Sequence, residues 1–347
     1  MQYRLLGNSG IKVSAICLGT MTWGKQNSRS EAFEQIDYAL DRGINFIDTA
    51  ELYAVPPEAE TYGATEAIIG DWLERSGRRD DIVLASKVCG PTGWCPHIRE
   101  GKSRLDRKNI LAAVEGSLKR LKTDYLDLYQ VHWPDRQTNY FGRLGFELPE
   151  EEHAVPILET LQALDELVKK GMVRHIGISN ETPWGAMQYL KLAEQHALPR
   201  IQSIQNPYNL LNRSYEIGLA EVSHREQAGL LAYSPLGFGT LSGKYIGGRM
   251  PEGSRLALFS DRYSRYSKAE GIRATEKYVE LARKHGITPA RMALAFVNSR
   301  PFVTANIIGA TSMAQLKENI SSIDISLNDE LIAGIEAIHT EQPNPCP

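Results

Sequence analysis

Ile82-Val83-Leu84-Ala85-Ser86-Lys87 is a short apolar run that ends on a lysine. Tyr125-Leu126-Asp127-Leu128-Tyr129-Gln130-Val131-His132 is a second, and it ends on a histidine. An earlier run, Ile44-Asn45-Phe46-Ile47, ends on Asp48, with Tyr53 five positions later. Runs of this kind are expected of parallel strands buried on both faces. In a barrel of alternating strands and helices, all the carboxyl ends of the strands open onto one mouth. Asp48, Tyr53, Lys87 and His132 are therefore candidates for a single site.

Working outward, the unit of apolar strand, loop and amphipathic helix repeats along the chain. Strands are predicted at 15–18, 45–48, 82–86, 125–131, 175–178, 201–205, 230–232 and 305–308. Helices are predicted at 30–42, 64–76, 107–121, 157–170, 184–196, 214–227, 274–286 and 312–320. Eight strands alternating with helices is the count of an α/β fold of the (β/α)8 TIM-barrel type. An open doubly wound sheet competes, but no strand is followed by a dinucleotide-type glycine fingerprint. The segment Tyr3 to Val13, with Gly7 to Gly10 as its turn, reads as an N-terminal β-hairpin that closes the barrel bottom. Thr288-Pro289 opens an extra helix at 289–300, and another follows Asn328. Long irregular stretches at 53–63, 133–155 and 237–270 are expected to wall the site. No linker divides the chain, so residues 1–347 are read as one domain.

Composition narrows the function classes. Of 347 residues, 42% are hydrophobic and 23% charged, a globular profile. Lys and Arg number 39 against 42 acidic residues, so no basic excess marks a nucleic-acid surface. No apolar run approaches the roughly 20 residues that span a bilayer, and no signal core follows Met1. Four cysteines are too few for a disulfide framework in a chain of this length, so reduced thiols in a cytoplasm are expected.

A free phenol, with a pKa of about 10, is a poor acid at neutral pH. A nearby ammonium favours the phenolate and lowers that value. Lys87 can supply the charge, Asp48 can hold Lys87 protonated, and His132 can share the proton or polarise a substrate oxygen. Such a set suits protonation of an oxygen on which negative charge develops, as in carbonyl reduction by hydride. Taken singly, each has an ordinary reading: a solvated strand-end lysine, or a core histidine bonded to a carbonyl. The combination at three strand ends favours chemistry. One carboxylate and no cysteine make the four a poor transition-metal set.

Asp48-Thr49-Ala50-Glu51-Leu52-Tyr53, Leu84-Ala85-Ser86-Lys87 and Leu128-Tyr129-Gln130-Val131-His132-Trp133-Pro134 together resemble the aldo-keto reductase superfamily. Leu18-Gly19-Thr20-Met21-Thr22-Trp23-Gly24, Ile176-Gly177-Ile178-Ser179-Asn180 and Gln205-Asn206-Pro207-Tyr208-Asn209 extend the likeness over nearly the whole chain. The branch it resembles also holds potassium-channel β-subunits and aflatoxin-aldehyde reductases. The resemblance implies Tyr53 as general acid, Lys87 and Asp48 as its tuning partners, and His132 as the substrate-orienting residue.

The resemblance also implies NADPH as hydride donor, preferred over NADH. Leu236-Gly237-Phe238-Gly239-Thr240-Leu241-Ser242-Gly243-Lys244-Tyr245 is neither a Rossmann fingerprint nor a P-loop. Its glycines nevertheless let backbone approach an anion, and Lys244 adds positive charge. The likeness assigns Tyr233, Ser234, Pro235, Leu236, Gly237 and Lys244 to the pyrophosphate side, with Arg255 a further candidate. It places Gly19, Thr20 and Met21 in the cofactor site as well. Ile308-Gly309-Ala310-Thr311-Ser312 opens a helix whose amides could face an anion. By resemblance this turn, with Gln315, takes the adenosine 2′-phosphate, and Glu318 and Asn319 take adenine. Many relatives carry Arg or Lys there; this chain has Thr311 and Ser312. Ser179, Asn180 and Gln205 are assigned to the nicotinamide carboxamide, and Tyr208 or Tyr233 to the ring face.

Cys89, Cys95 and His97 lack zinc-site spacing and are read as loop residues. Trp23, Trp94, Trp133, Asn139, Tyr140, Phe141 and Phe146 are candidates for an apolar substrate wall. The expected activity is reduction of a small carbonyl compound. Alternatives are a cofactor-loaded regulatory barrel and a metal-dependent hydrolase. Oligomeric state and substrate are not readable from these motifs.

Overall fold

The computed structural model describes residues 1–347. Its first two strands, β1 (Tyr3–Leu5) and β2 (Lys12–Ser14), pair antiparallel with Tyr3 opposite Ser14. Eight parallel strands follow. They are β3 (Ile16–Gly19), β4 (Phe46–Asp48), β5 (Val83–Val88), β6 (Leu126–Val131), β7 (Val173–Ser179), β8 (Ile201–Pro207), β9 (Gly229–Tyr233) and β10 (Val303–Ile308). They close in the order β10-β3-β4-β5-β6-β7-β8-β9, a (β/α)8 TIM barrel.

Side chains that alternate along the strands feed two apolar layers. One faces the helices and holds Leu18, Ile47, Leu84, Val131, Ile176 and Ile204. The other fills the barrel, with Cys17, Phe46, Ala85, Leu128, Leu231 and Ala305. Leu6 and Val13 join that inner layer, so the hairpin does plug the barrel floor. Gly7 is required there: at φ +55° it runs against Gln202, and a Cβ would sit 2.6 Å from the Gln202 carbonyl oxygen.

Each predicted strand has its counterpart, with ends moved by a few residues. Helix starts are well marked. Ser28 and Glu31 form a reciprocal capping box, and Thr288 caps the helix that opens on Pro289. Three expectations need correction. The helix predicted at 214–227 breaks at Gly218 into a 3-10 turn and Leu219–Glu226, where a Cβ would lie 3.1 Å from Pro183. The helix predicted to start at 274 starts at Ala269. The stretch 237–270, expected to be irregular, holds 3-10 turns at Gly237–Ser242 and Ile246–Gly248 and a short helix, Arg255–Phe259. The extra C-terminal helices Pro289–Ser299 and Asp329–Glu341 are present. No helix is long and apolar enough to cross a membrane.

Candidate active site

Strand register brings the four proton-handling residues together. Gly19 of β3 lies beside Asp48 of β4, Asp48 beside Ala85 of β5, and Lys87 beside Gln130 of β6. The Lys87 ammonium is fully buried. It donates to Asp48 Oδ2 at 2.6 Å, to the Thr49 carbonyl at 2.8 Å and to Tyr53 Oη at 3.4 Å. Asp48 Oδ1 accepts from Gln130 Nε2 at 3.0 Å and Gln205 Nε2 at 2.9 Å. The carboxylate is thus fixed from three sides, as a buried charge must be.

Burial pushes the Tyr53 phenol upward, and the Lys87 ammonium offsets only part of that. The expected net lowering is therefore corrected: desolvation of the phenol outweighs the neighbouring charge. Burial pulls Lys87 down, but the Asp48 carboxylate wins and its pKa ends above the ordinary value. His132 is held well below the ordinary histidine range by burial and then by Lys87. It is neutral at pH 7. Its Nδ1 is buried without a partner, which leaves Nε2 as the nitrogen able to meet a ligand. Its ring meets Tyr53 edge-on at 5.8 Å, and the Asn180 amide fixes its carbonyl at 2.8 Å.

Asp48, Tyr53 and His132 line one open cavity of about 1480 Å³. Lys87 stands behind Tyr53, outside the lining. Of the predicted cofactor residues, Gly19, Thr20, Met21, Ser179, Asn180, Gln205, Tyr233, Ser234, Pro235, Leu236, Lys244, Arg255, Gly309, Thr311, Gln315, Glu318 and Asn319 line this cavity. Gly237 does not; it packs against the Tyr266 ring, and Gly239 faces the cavity instead. Tyr208 is buried between Phe296 and Phe302 with its hydroxyl on Glu216, so of the two tyrosines only Tyr233 reaches the cavity. Trp94, Trp133, Tyr140 and Phe141 form the apolar wall. Trp23 is buried on Gln35, and Asn139 and Phe146 lie off the lining; these three are corrections.

The lining fits a dinucleotide. At Gly239 (φ +90°) a Cβ would sit 2.8 Å from Lys244 Cε, so glycine is what lets the lysine fold across the turn. Ser312 caps Met313–Ser321 through Gln315 N, and Gln315 Oε1 accepts from Thr311 N at 3.0 Å. Asn319 Nδ2 holds the Gly309 carbonyl at 3.1 Å. Lys244 and Arg255 take part in no ion pair with the chain's own carboxylates, which leaves them free for phosphate oxygens.

Sequence reasoning passed over Gln130, although a polar residue inside an apolar strand, two before His132, is a readable signal. It also passed over Glu51. This fully buried carboxylate takes two bonds from Arg99, at 2.6 and 2.7 Å, and one each from the Cys89 amide and Tyr62 hydroxyl. The clamp ties the turn carrying Tyr53 to the loop carrying Trp94. Cys95 Sγ lies 3.4 Å from His97 Nε2, and no group of three or more metal-binding side chains is arranged around an ion position.

Residues 15–340 match the model of the aldo/keto reductase family. The chain is 53% identical to protein tas of Escherichia coli, over the full length of both. It is 34% identical to the uncharacterized oxidoreductase YrpG of Bacillus subtilis, covering 96% of this chain and 94% of that one. It is 32% identical to a probable voltage-gated potassium channel subunit beta of Arabidopsis thaliana, covering 94% of this chain and 92% of that one. The closed barrel, the gathered strand-end residues and these likenesses agree: the chain belongs to the aldo/keto reductase family of oxidoreductases.

Proposed function

We propose that this oxidoreductase reduces an aldehyde or ketone to the alcohol with NADPH, as one barrel domain spanning residues 1–347. The observation that carries the reading is the Lys87 ammonium set between Asp48 (2.6 Å) and Tyr53 (3.4 Å) behind the cavity wall. Tyr53 is the proton donor. Burial keeps it protonated at pH 7, so its proton leaves only as charge grows on the substrate oxygen. Lys87 then faces a nascent phenolate and offsets its charge. Asp48 keeps Lys87 cationic, and the two glutamine amides keep Asp48 in place. Neutral His132 directs Nε2 at the same oxygen and orients it. When bound, the reduced nicotinamide supplies the hydride.

Tyr233, Asn180 and Ser179 are the nicotinamide side of this reading, and Lys244 and Arg255 the pyrophosphate side. Thr311 and Gln315 offer a hydroxyl and an amide, where a cation would discriminate NADPH from NADH more sharply. Preference for NADPH is therefore modest in this reading. Four unpaired, buried cysteines fit a reducing cytoplasm.

The test is titration with NADPH and NADH, then an aldehyde panel, on the wild type and Tyr53→Phe. The reading requires the variant to lose turnover while still binding NADPH. Lost cofactor binding in that variant would refute the assigned role. A regulatory, cofactor-loaded barrel is the second reading, favoured by the name of the plant relative. Tight NADPH binding with no oxidation across the panel would support it.

A further inference from the structure

Asp48, Gln130 and Gln205 stand on β4, β6 and β8, alternate strands whose side chains meet in one layer inside the barrel. All three are buried, and Gln130 is fully so. Gly177 of β7, beside Gln130 in register, gives that side chain its room. A Cβ there would stand 3.2 Å from Gln130 Cγ and 2.7 Å from Ser203 Oγ. A carboxylate only accepts, so it dictates which end of each amide meets it. Gln130 Nε2 donates to Asp48 Oδ1 at 3.0 Å. Gln205 Nε2 spends one hydrogen on Asp48 Oδ1 at 2.9 Å and the other on Gln130 Oε1 at 3.0 Å.

The Gln205 amide is thereby held one way round, with its Oε1 left over. Gln205 lines the cavity, and no group of the chain donates to that oxygen. Its neighbours have spent their polar atoms inside the chain. Ser179 Oγ donates to the Gln205 carbonyl at 2.6 Å. Asn180 Nδ2 donates to the His132 carbonyl at 2.8 Å and to Ser179 Oγ at 3.1 Å, and Asn180 Oδ1 accepts from the Tyr233 hydroxyl at 2.7 Å. Of these three residues, Gln205 is the one that keeps an acceptor wholly open for a ligand. Turned over, its amide would set oxygen against Asp48 Oδ1 and Gln130 Oε1, two contacts between acceptors. The same end of the cavity would then offer a donor instead.

We propose that Gln130 is a positioning residue for cofactor recognition: with Asp48 it fixes the Gln205 amide so that its oxygen reads an N–H donor on the ligand. A carboxamide supplies that donor, and a methyl ketone of similar shape does not. This rests on the nicotinamide reading above and goes beyond it by assigning a residue that never reaches the cavity. Gln130 takes no part in the lining, so it acts through Gln205 and Asp48. With an apolar side chain in its place, one Gln205 N–H is stranded inside the barrel. The amide then has no single favoured orientation.

The experiment measures Kd, by quenching of tryptophan fluorescence, for NADP+ and for its 3-acetylpyridine analogue, in which a methyl ketone replaces the carboxamide. It uses wild type, Gln130→Leu and Gln130→Glu at about pH 6, with a thermal melt on each to show that it is folded. Gln130→Met takes the place of the leucine variant should that chain fail to fold. In Gln130→Glu, burial beside Asp48 keeps the new carboxyl protonated at that pH. Its hydroxyl can donate to Asp48 and its carbonyl accept from Gln205, as the amide did. Wild type should bind NADP+ more tightly than the analogue by about threefold to tenfold, the scale of one hydrogen bond between neutral groups. Gln130→Leu should bring that ratio within about twofold of unity, mainly by weakening NADP+, and Gln130→Glu should restore it. A wild-type ratio near unity overturns the inference and leaves the reductase reading standing. So does a folded Gln130→Leu chain that weakens both dinucleotides equally or neither, since Gln130 then serves packing alone. A Gln130→Glu chain that behaves like Gln130→Leu overturns it as well. If wild type binds neither dinucleotide, the nicotinamide reading itself falls, and this inference with it.

Discussion

Lys87→Met is the sharpest perturbation of the proposed mechanism. Methionine keeps most of the side-chain volume and removes the only cation beside the phenol. Lys87 Nζ stands 3.4 Å from Tyr53 Oη. At an effective dielectric of about 20, unit charges at that separation interact by about 5 kcal/mol. That attraction exists only once the phenolate forms, so it belongs to the transition state. The expected loss in kcat is about 10³- to 10⁴-fold. Stability should fall as well, because Asp48 loses its ion-pair partner in a dry site. Unpairing a buried charge costs about 3–5 kcal/mol, and the amides of Gln130 and Gln205 hold the loss toward the lower end. The assay is single-turnover loss of reduced-nicotinamide absorbance at saturating NADPH, with thermal unfolding run in parallel. A folded, NADPH-binding variant that loses less than about tenfold in kcat would refute the electrostatic role given to Lys87.

Gln130→Leu removes one of three donors to Asp48 and should cost about 1–2 kcal/mol of stability, read by chemical denaturation; kcat should fall far less than in Lys87→Met. His132 titrates lower in the folded chain than unfolded, so its contribution to stability is present above about pH 6.5 and is lost as pH falls below that. His132→Asn should flatten this part of a stability-against-pH curve, and an unchanged curve would show that other groups set it. Arg99→Met leaves Glu51 buried without its guanidinium and should lower stability by about 3–5 kcal/mol, with Glu51→Gln in the same chain recovering part of it in the melting curve.

The barrel was legible because parallel strands buried on both faces leave continuous apolar runs, and because polar residues cluster where those runs stop. Asp48, Lys87 and His132 announced themselves in this way. The breaks were not legible. Gly218 interrupts a good helical pattern, and Pro183, distant in sequence, packs where its Cβ would stand. The helix predicted from 274 begins before Gly271, which lies inside it where a Cβ would stand 2.2 Å from Cys346 Sγ. Burial misled in the other direction at Tyr53, where charge logic gave the wrong net sign because the degree of desolvation is set by distant elements. Trp23 and Tyr208 looked like wall and ring-stacking residues, and tertiary packing put both in the core.

The Glu51–Arg99 clamp has a consequence for engineering. Transplanting the loop between β5 and the helix Arg107–Leu121 from a relative is an obvious way to exchange substrate range. Here that loop is anchored by a carboxylate two residues upstream of Tyr53, on a different element. A graft lacking an arginine at the position of Arg99 would strand Glu51 and unsettle the turn that aims the phenol. Chimaeras of this enzyme should therefore exchange Glu51 and Arg99 as a unit, or lose turnover along with specificity.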